Sequence, residues 1–109
     1  MPGLVSVTDN SFDAEVLKCD IPVLTEFLAE WSAPGQSVAA QLAELADAYQ
    51  NRLKTVKLDI EANPMVTSNY KVLNVPTLVL FKNGQEVARL SGIVTRNELL
   101  ELVSPFLDE

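Results

Sequence analysis

Glu30-Trp31-Ser32-Ala33-Pro34-Gly35-Gln36 lies between an apolar run, Pro22 to Ala29, and a stretch in which Val38, Leu42, Leu45 and Tyr49 recur at spacings of four, three and four. The first pattern is that of a central strand covered on both faces, with Glu26 as its one charged residue. The second traces one stripe along a helix of roughly residues 33–51, closed by Asn51-Arg52. A strand that feeds directly into a helix brings backbone N–H groups and the positive helix end together, which is where ligands and reactive groups sit in α/β proteins. The residues at this junction are chemically quiet: Ser32 suits an N-cap, Pro34 is tolerated in a first helical turn, and Gly35 lets another backbone approach closely.

Upstream, Leu4-Val5-Ser6-Val7 is a short β-prone run, and Asn10 or Ser11 can cap a helix bearing Phe12, Val16 and Leu17 on one face, with Cys19 at its end. Downstream, Leu53 to Asp59 reads as a strand, so strand, long helix and strand form a βαβ unit with parallel strands. Asn63-Pro64 starts a short helix running to about Tyr70, with Asn as N-cap and Pro at the first position. Thr77 to Phe81 and Glu86 to Leu90 are joined through Asn83-Gly84, the strongest short-range hairpin signal, and Gly92 breaks the second run. Thr95 with Glu98 is a capping box ahead of Leu99, Leu100, Val103, Phe106 and Leu107. The order β-α-β-α-β-α-β-β-α implies a mixed central sheet between two helix layers.

Composition narrows the chemistry. A chain of 109 residues, 48% of them hydrophobic, fits one domain spanning residues 1–109. Eight basic against fifteen acidic residues give a net charge of -7, which repels a phosphate backbone and argues against nucleic acid as a partner. There is no histidine, and Cys19 is the single cysteine, so the usual catalytic triads, an internal disulfide and a soft-metal site held by one chain are all disfavoured. Cys19 is read as a small packing residue, with an exposed, linkable thiol as the alternative. No cationic leader pattern opens the chain and no apolar run reaches the roughly 20 residues of a membrane span, so a cytoplasmic location without membrane attachment is expected.

Phe27 through Pro34, Asp59 with Asn63-Pro64, Val75-Pro76-Thr77, Phe81-Lys82-Asn83-Gly84 and Gly92, in this order, resemble the thioredoxin family from end to end. The resemblance implies the thioredoxin fold, a three-layer α/β/α domain. The family carries Trp-Cys-Gly-Pro-Cys at the junction; the matching residues here are Trp31-Ser32-Ala33-Pro34-Gly35, so Ser32 and Gly35 stand where both redox cysteines would be. Thiol–disulfide exchange needs a thiolate to attack and a second thiol to resolve the mixed disulfide, and a serine hydroxyl does neither. Enzymatic dithiol exchange is therefore not expected, and Ser32 is read as a cap.

By the same resemblance Glu26 matches a buried proton-relay aspartate and Lys57 its lysine neighbour; with no thiol to serve, the pair is read as a partly buried ion pair, with burial raising the Glu26 pKa and Lys57 opposing the rise. Pro76 matches a proline that in the family follows a cis bond and faces the motif, leaving the backbone of the preceding residue, here Val75, free to pair with an extended partner segment. Leu28 replaces a frequent second tryptophan, and Ala40 a helix-kinking proline.

The expected function is that of a redox-inactive, monomeric protein-binding module using the former substrate groove, with Trp31, Ala33, Pro34, Val75, Pro76, Gly92 and Ile93 forming one apolar contact surface for a protein or extended peptide. No metal and no cofactor are expected. One alternative is a thioredoxin, a protein-disulfide oxidoreductase of cell redox homeostasis, whose cysteines have been replaced; against it, Ala33, Gly35, Gln36 and Ser37 depart from the family together. Another is an enzyme of the same fold that uses an external thiol such as glutathione, though no basic residue near the motif is evident to hold that acidic tripeptide.

Overall fold

Every residue of the strand Val23–Leu28 is buried, and that strand lies at the centre of a five-stranded sheet. The computed structural model describes residues 4–107; the two ends of the expected domain, 1–3 and 108–109, lie outside it. The strands are β1 (Val5–Ser6), β2 (Val23–Leu28), β3 (Lys54–Asp59), β4 (Thr77–Lys82) and β5 (Gln85–Ser91), in the spatial order β1-β3-β2-β4-β5. β1 and β2 each run parallel to β3, whereas β4 is antiparallel to both β2 and β5. The hairpin between β4 and β5 turns through Asn83 and Gly84 with φ of 55° and 81°, the left-handed pair that a tight two-residue turn requires.

Alternation along the strands sends their side chains into two apolar layers. Val23, Phe27, Val56, Leu58, Val79 and Phe81 join Phe12, Val16 and Val66 on one face; Leu24, Leu78 and Leu80 join Val38, Leu42, Leu45, Leu99 and Val103 on the other. The second face is therefore covered by α1 (Ala33–Ala48) and α3 (Arg96–Val103), and the first by α2 (Pro64–Asn69) and the segment after β1. The chain is a single α/β domain with the three-layer architecture its element order implies. Cys19 is half-buried and packs against the first layer.

Several local expectations change. The first helix is a five-residue π-helical turn, Asp13–Leu17, in which Lys18 N donates to Asp13 O at 3.0 Å. Neither Asn10 nor Ser11 caps it: the N-cap position is Phe12, without a side-chain cap bond, and the turn just before it is closed by Thr8 and Ser11, with Ser11 N donating to Thr8 Oγ1 at 3.1 Å and Thr8 N donating to Ser11 Oγ at 2.9 Å. Helix α1 ends at Ala48, three residues early, with Asn51 at φ 70° turning the chain toward β3.

The start of α2 is capped from a distance. Asn63 makes no side-chain cap bond; instead the Asp9 carboxylate accepts from Met65 N at 3.1 Å and Val66 N at 2.8 Å, and Asn63 Oδ1 accepts from Asp9 N at 2.9 Å. A carboxylate outperforms an amide at a helix N-terminus because it adds charge to the hydrogen bond. Helix α3 has the expected capping box, with Glu98 N to Thr95 Oγ1 at 3.1 Å and Thr95 N to Glu98 Oε1 at 2.8 Å.

Candidate site at the strand ends

Register gathers the site. Leu28 pairs with Asp59, Phe27 with Thr77, and Thr77 with Ser91, so the segments after β3, after β2, before β4 and after β5 meet at one end of the sheet. These segments carry Asp59 to Glu61, Glu30 to Ser32, Val75-Pro76 and Gly92-Ile93 respectively.

Ser32 is the N-cap of α1, in extended conformation, and its Oγ accepts the Gly35 N–H at 3.2 Å. The hydroxyl is buried and committed to the helix start. A side chain at position 35 would place its Cβ 3.2 Å from Leu28 Cβ and 3.5 Å from Ser32 Oγ, which is why glycine sits comfortably against the end of β2. With Cys19 the only cysteine, an intramolecular dithiol does not exist.

Trp31 is 70% exposed and Ile93 72% exposed. The indole is held in place by a hydrogen bond from its Nε1 to Glu61 Oε2 at 2.9 Å. Ala33 and Pro34 are exposed, Val75 and Gly92 half-buried, and Pro76 buried. The Val75–Pro76 bond is cis, and the Pro76 carbonyl accepts Gly92 N at 2.8 Å, which ties the start of β4 to the end of β5. Neither the N–H nor the C=O of Val75 is hydrogen-bonded among the described residues. Two neighbours escape a reading of the sequence. Glu61 reaches the Trp31 indole from the segment after β3, and Leu73, two positions before Val75, is 91% exposed beside the buried Val72; no periodicity in the sequence marks either.

Glu26 points to the α1 side of the sheet with Leu24 and Leu28. It is fully buried, and neither carboxylate oxygen has a hydrogen-bond partner. Burial pushes its pKa up to about 8, with the Lys57 charge pulling the other way. Lys57 is the register partner of Glu26, but the expected ion pair does not form: Lys57 is half-buried and lines a cleft of about 350 Å³ together with Ser6, Leu28, Glu30, Gln36 and Asp59. Among the described residues no group of three or more Cys, Asp or Glu is placed to hold a metal ion, and no helix is long and apolar enough to cross a membrane.

A parallel βαβ unit followed by an antiparallel hairpin, with a capped helix start facing an X-Pro turn across the sheet end, defines a protein of thioredoxin architecture with a thiol-free motif. The chain belongs to the thioredoxin family, whose family model matches residues 3–105. It is 38% identical over 107 residues to Thioredoxin 1 of Nostoc sp., covering 98% of this chain and all of the relative. It is 39% identical to Thioredoxin 1 of Synechococcus elongatus over the same shares, and 37% identical over 99 residues to the thioredoxin of Rickettsia bellii, covering 91% of this chain and 94% of that one.

Proposed function

We propose that this protein is a redox-inactive thioredoxin-family module that binds an extended segment of a protein partner at the end of the sheet. The observation that carries this reading is the unpaired Val75 backbone, flanked by the exposed side chains of Trp31 and Ile93. An N–H and a C=O without partners give an incoming chain its main-chain hydrogen bonds, and the apolar side chains beside them supply the burial that makes such bonds net favourable. Ala33, Pro34, Pro76 and Gly92 complete the site. The commitment of Ser32 Oγ to the helix cap supports a binding rather than a chemical role, since a hydroxyl bonded to its own helix and lacking a nearby base is a poor nucleophile. The module acts as a monomer in the cytoplasm, without cofactor. The Glu26 and Lys57 positions are relics of a proton relay.

Panning random heptapeptides on the immobilised protein, with the Trp31→Ala/Ile93→Asp variant as the counter-selecting surface, tests this reading. Peptides retained by the wild type and not by the variant support it. Equal retention on both surfaces places recognition elsewhere. The relatives' names keep a second reading in view, a protein-disulfide oxidoreductase whose cysteines have been replaced. Disulfide reduction at the rate of an ordinary thioredoxin once Ser32→Cys and Gly35→Cys are installed would favour it.

A further inference from the structure

The end of the sheet that carries Trp31 is divided by charge. On the β3 side stand three carboxylates: Glu30 and Asp59, which line the same cleft, and Glu61, which holds the Trp31 indole. Among the described residues none of the three is ion-paired, whereas Glu15, Glu44 and Glu86 all are. Among the described residues Lys57 is the one cation lining that cleft. On the β4 and β5 side there is no charge at all in Leu73 to Thr77 or in Ser91 to Thr95, and Leu73 and Ile93 are among the most exposed apolar side chains described. Trp31 lies on the boundary, since β2 sits between β3 and β4.

Resting on the binding role above, we propose that the occupant of this groove is an extended protein segment pairing an apolar residue with a lysine or arginine two positions away. In an extended chain, residues two apart project to the same side, so both reach the surface from one strand pairing with Val75. The apolar residue packs on Leu73, Val75 and Ile93. The cation lies over the exposed indole, whose ring face attracts positive charge, within reach of Glu61 and Glu30. An acidic segment meets three unpaired carboxylates on a chain of net charge -7 and is repelled.

The test uses three acetylated, amidated peptides of sequence Ser-Thr-Val-Ser-Xaa-Thr-Ser, with Lys, Gln or Glu at Xaa, titrated by fluorescence anisotropy at low and high salt. The Lys peptide is expected to bind about tenfold more tightly than the Glu peptide, with Gln between and the spread narrowing at high salt. Glu30→Gln combined with Glu61→Gln should erase the ranking; Gln at 61 still offers an acceptor to Trp31 Nε1, so the indole keeps its support. If the three peptides bind alike and Trp31→Ala/Ile93→Asp abolishes all three, the groove stands and the charge preference is overturned. If no peptide binds, or the Trp31/Ile93 variant binds as well as the wild type, both the preference and the binding site are overturned.

Discussion

Glu26 and Lys57 stand in register on adjacent parallel strands, yet the Glu26 carboxylate accepts no hydrogen bond and the two side chains form no ion pair. The folded chain therefore holds a proton on Glu26, with a pKa of about 8 against 4.5, that the unfolded chain releases over the same range. Because the folded state binds the extra proton, stability falls as pH rises. The contribution is whole below about 4.5 and lost above about 8, with a slope of up to about 1.4 kcal/mol per pH unit. Urea denaturation from about pH 5 to about pH 9 should show this decline in the wild type and a flatter profile in Glu26→Leu. The Leu variant should exceed the wild type by about 1–3 kcal/mol at the alkaline end, since a buried charge without a partner is replaced by packing. A destabilised Leu variant would mean that the carboxyl is held by hydrogen bonds to internal water.

The wild-type protein should not turn over an insulin-type disulfide substrate, at a rate above its Cys19→Ser variant, with a thiol reductant present. Installing Ser32→Cys and Gly35→Cys should create turnover from a zero baseline, because a thiol at the α1 N-terminus gains thiolate character from the helix. The gain should come with a stability loss of about 1 kcal/mol for the missing cap. The new Cβ at position 35, 3.2 Å from Leu28 Cβ, also requires a shift of a few tenths of an ångström. A double variant that folds but stays inactive would show that the scaffold no longer supports exchange.

Asp9 caps α2 across 56 positions of sequence, so Asp9→Ala should cost about 1–2 kcal/mol in chemical denaturation. Hydrogen exchange at the Met65 and Val66 amides should quicken selectively. Asp9→Asn keeps an acceptor and should lose less. An unchanged exchange rate at Val66 in Asp9→Ala would show that the helix start does not depend on this carboxylate.

The architecture was legible because its signals are local and mutually consistent. The buried run around Phe27, the stripe from Val38 to Leu45, the Asn83-Gly84 turn and the Thr95/Glu98 box each fix one element, and their order allows few topologies. What escaped detection is what tertiary contact decides. Nothing near Asn63 in the sequence announces that Asp9 will take over its cap, and nothing in the spacing of Glu26 and Lys57 says that the lysine will turn into a cleft instead of pairing. The site was half legible for the same reason: Trp31 and Pro76 stand in recognisable motifs, whereas Glu61 reaches the indole only because β2 and β3 pair side by side.

Binding at the sheet end should separate cleanly from stability. Trp31 and Ile93 are both largely exposed, so Trp31→Ala and Ile93→Asp remove little buried area and should each change the unfolding free energy by no more than about 0.5 kcal/mol. A tryptophan at the centre of a contact surface typically carries about 2 kcal/mol or more, so Trp31→Ala should weaken a peptide selected on the wild type by about thirtyfold. Ile93→Asp should weaken it through the charge it adds to the apolar side, and the double variant should lose binding altogether. Because both residues would touch the same short segment, their effects should fall short of additivity, which a double-mutant cycle measures directly. Glu61→Ala, which frees the indole without removing it, should weaken binding less than Trp31→Ala while raising the mobility of Trp31 in fluorescence anisotropy. If the cycle is strictly additive and Glu61→Ala is silent, the two side chains do not share an occupant, and the binding surface does not include both.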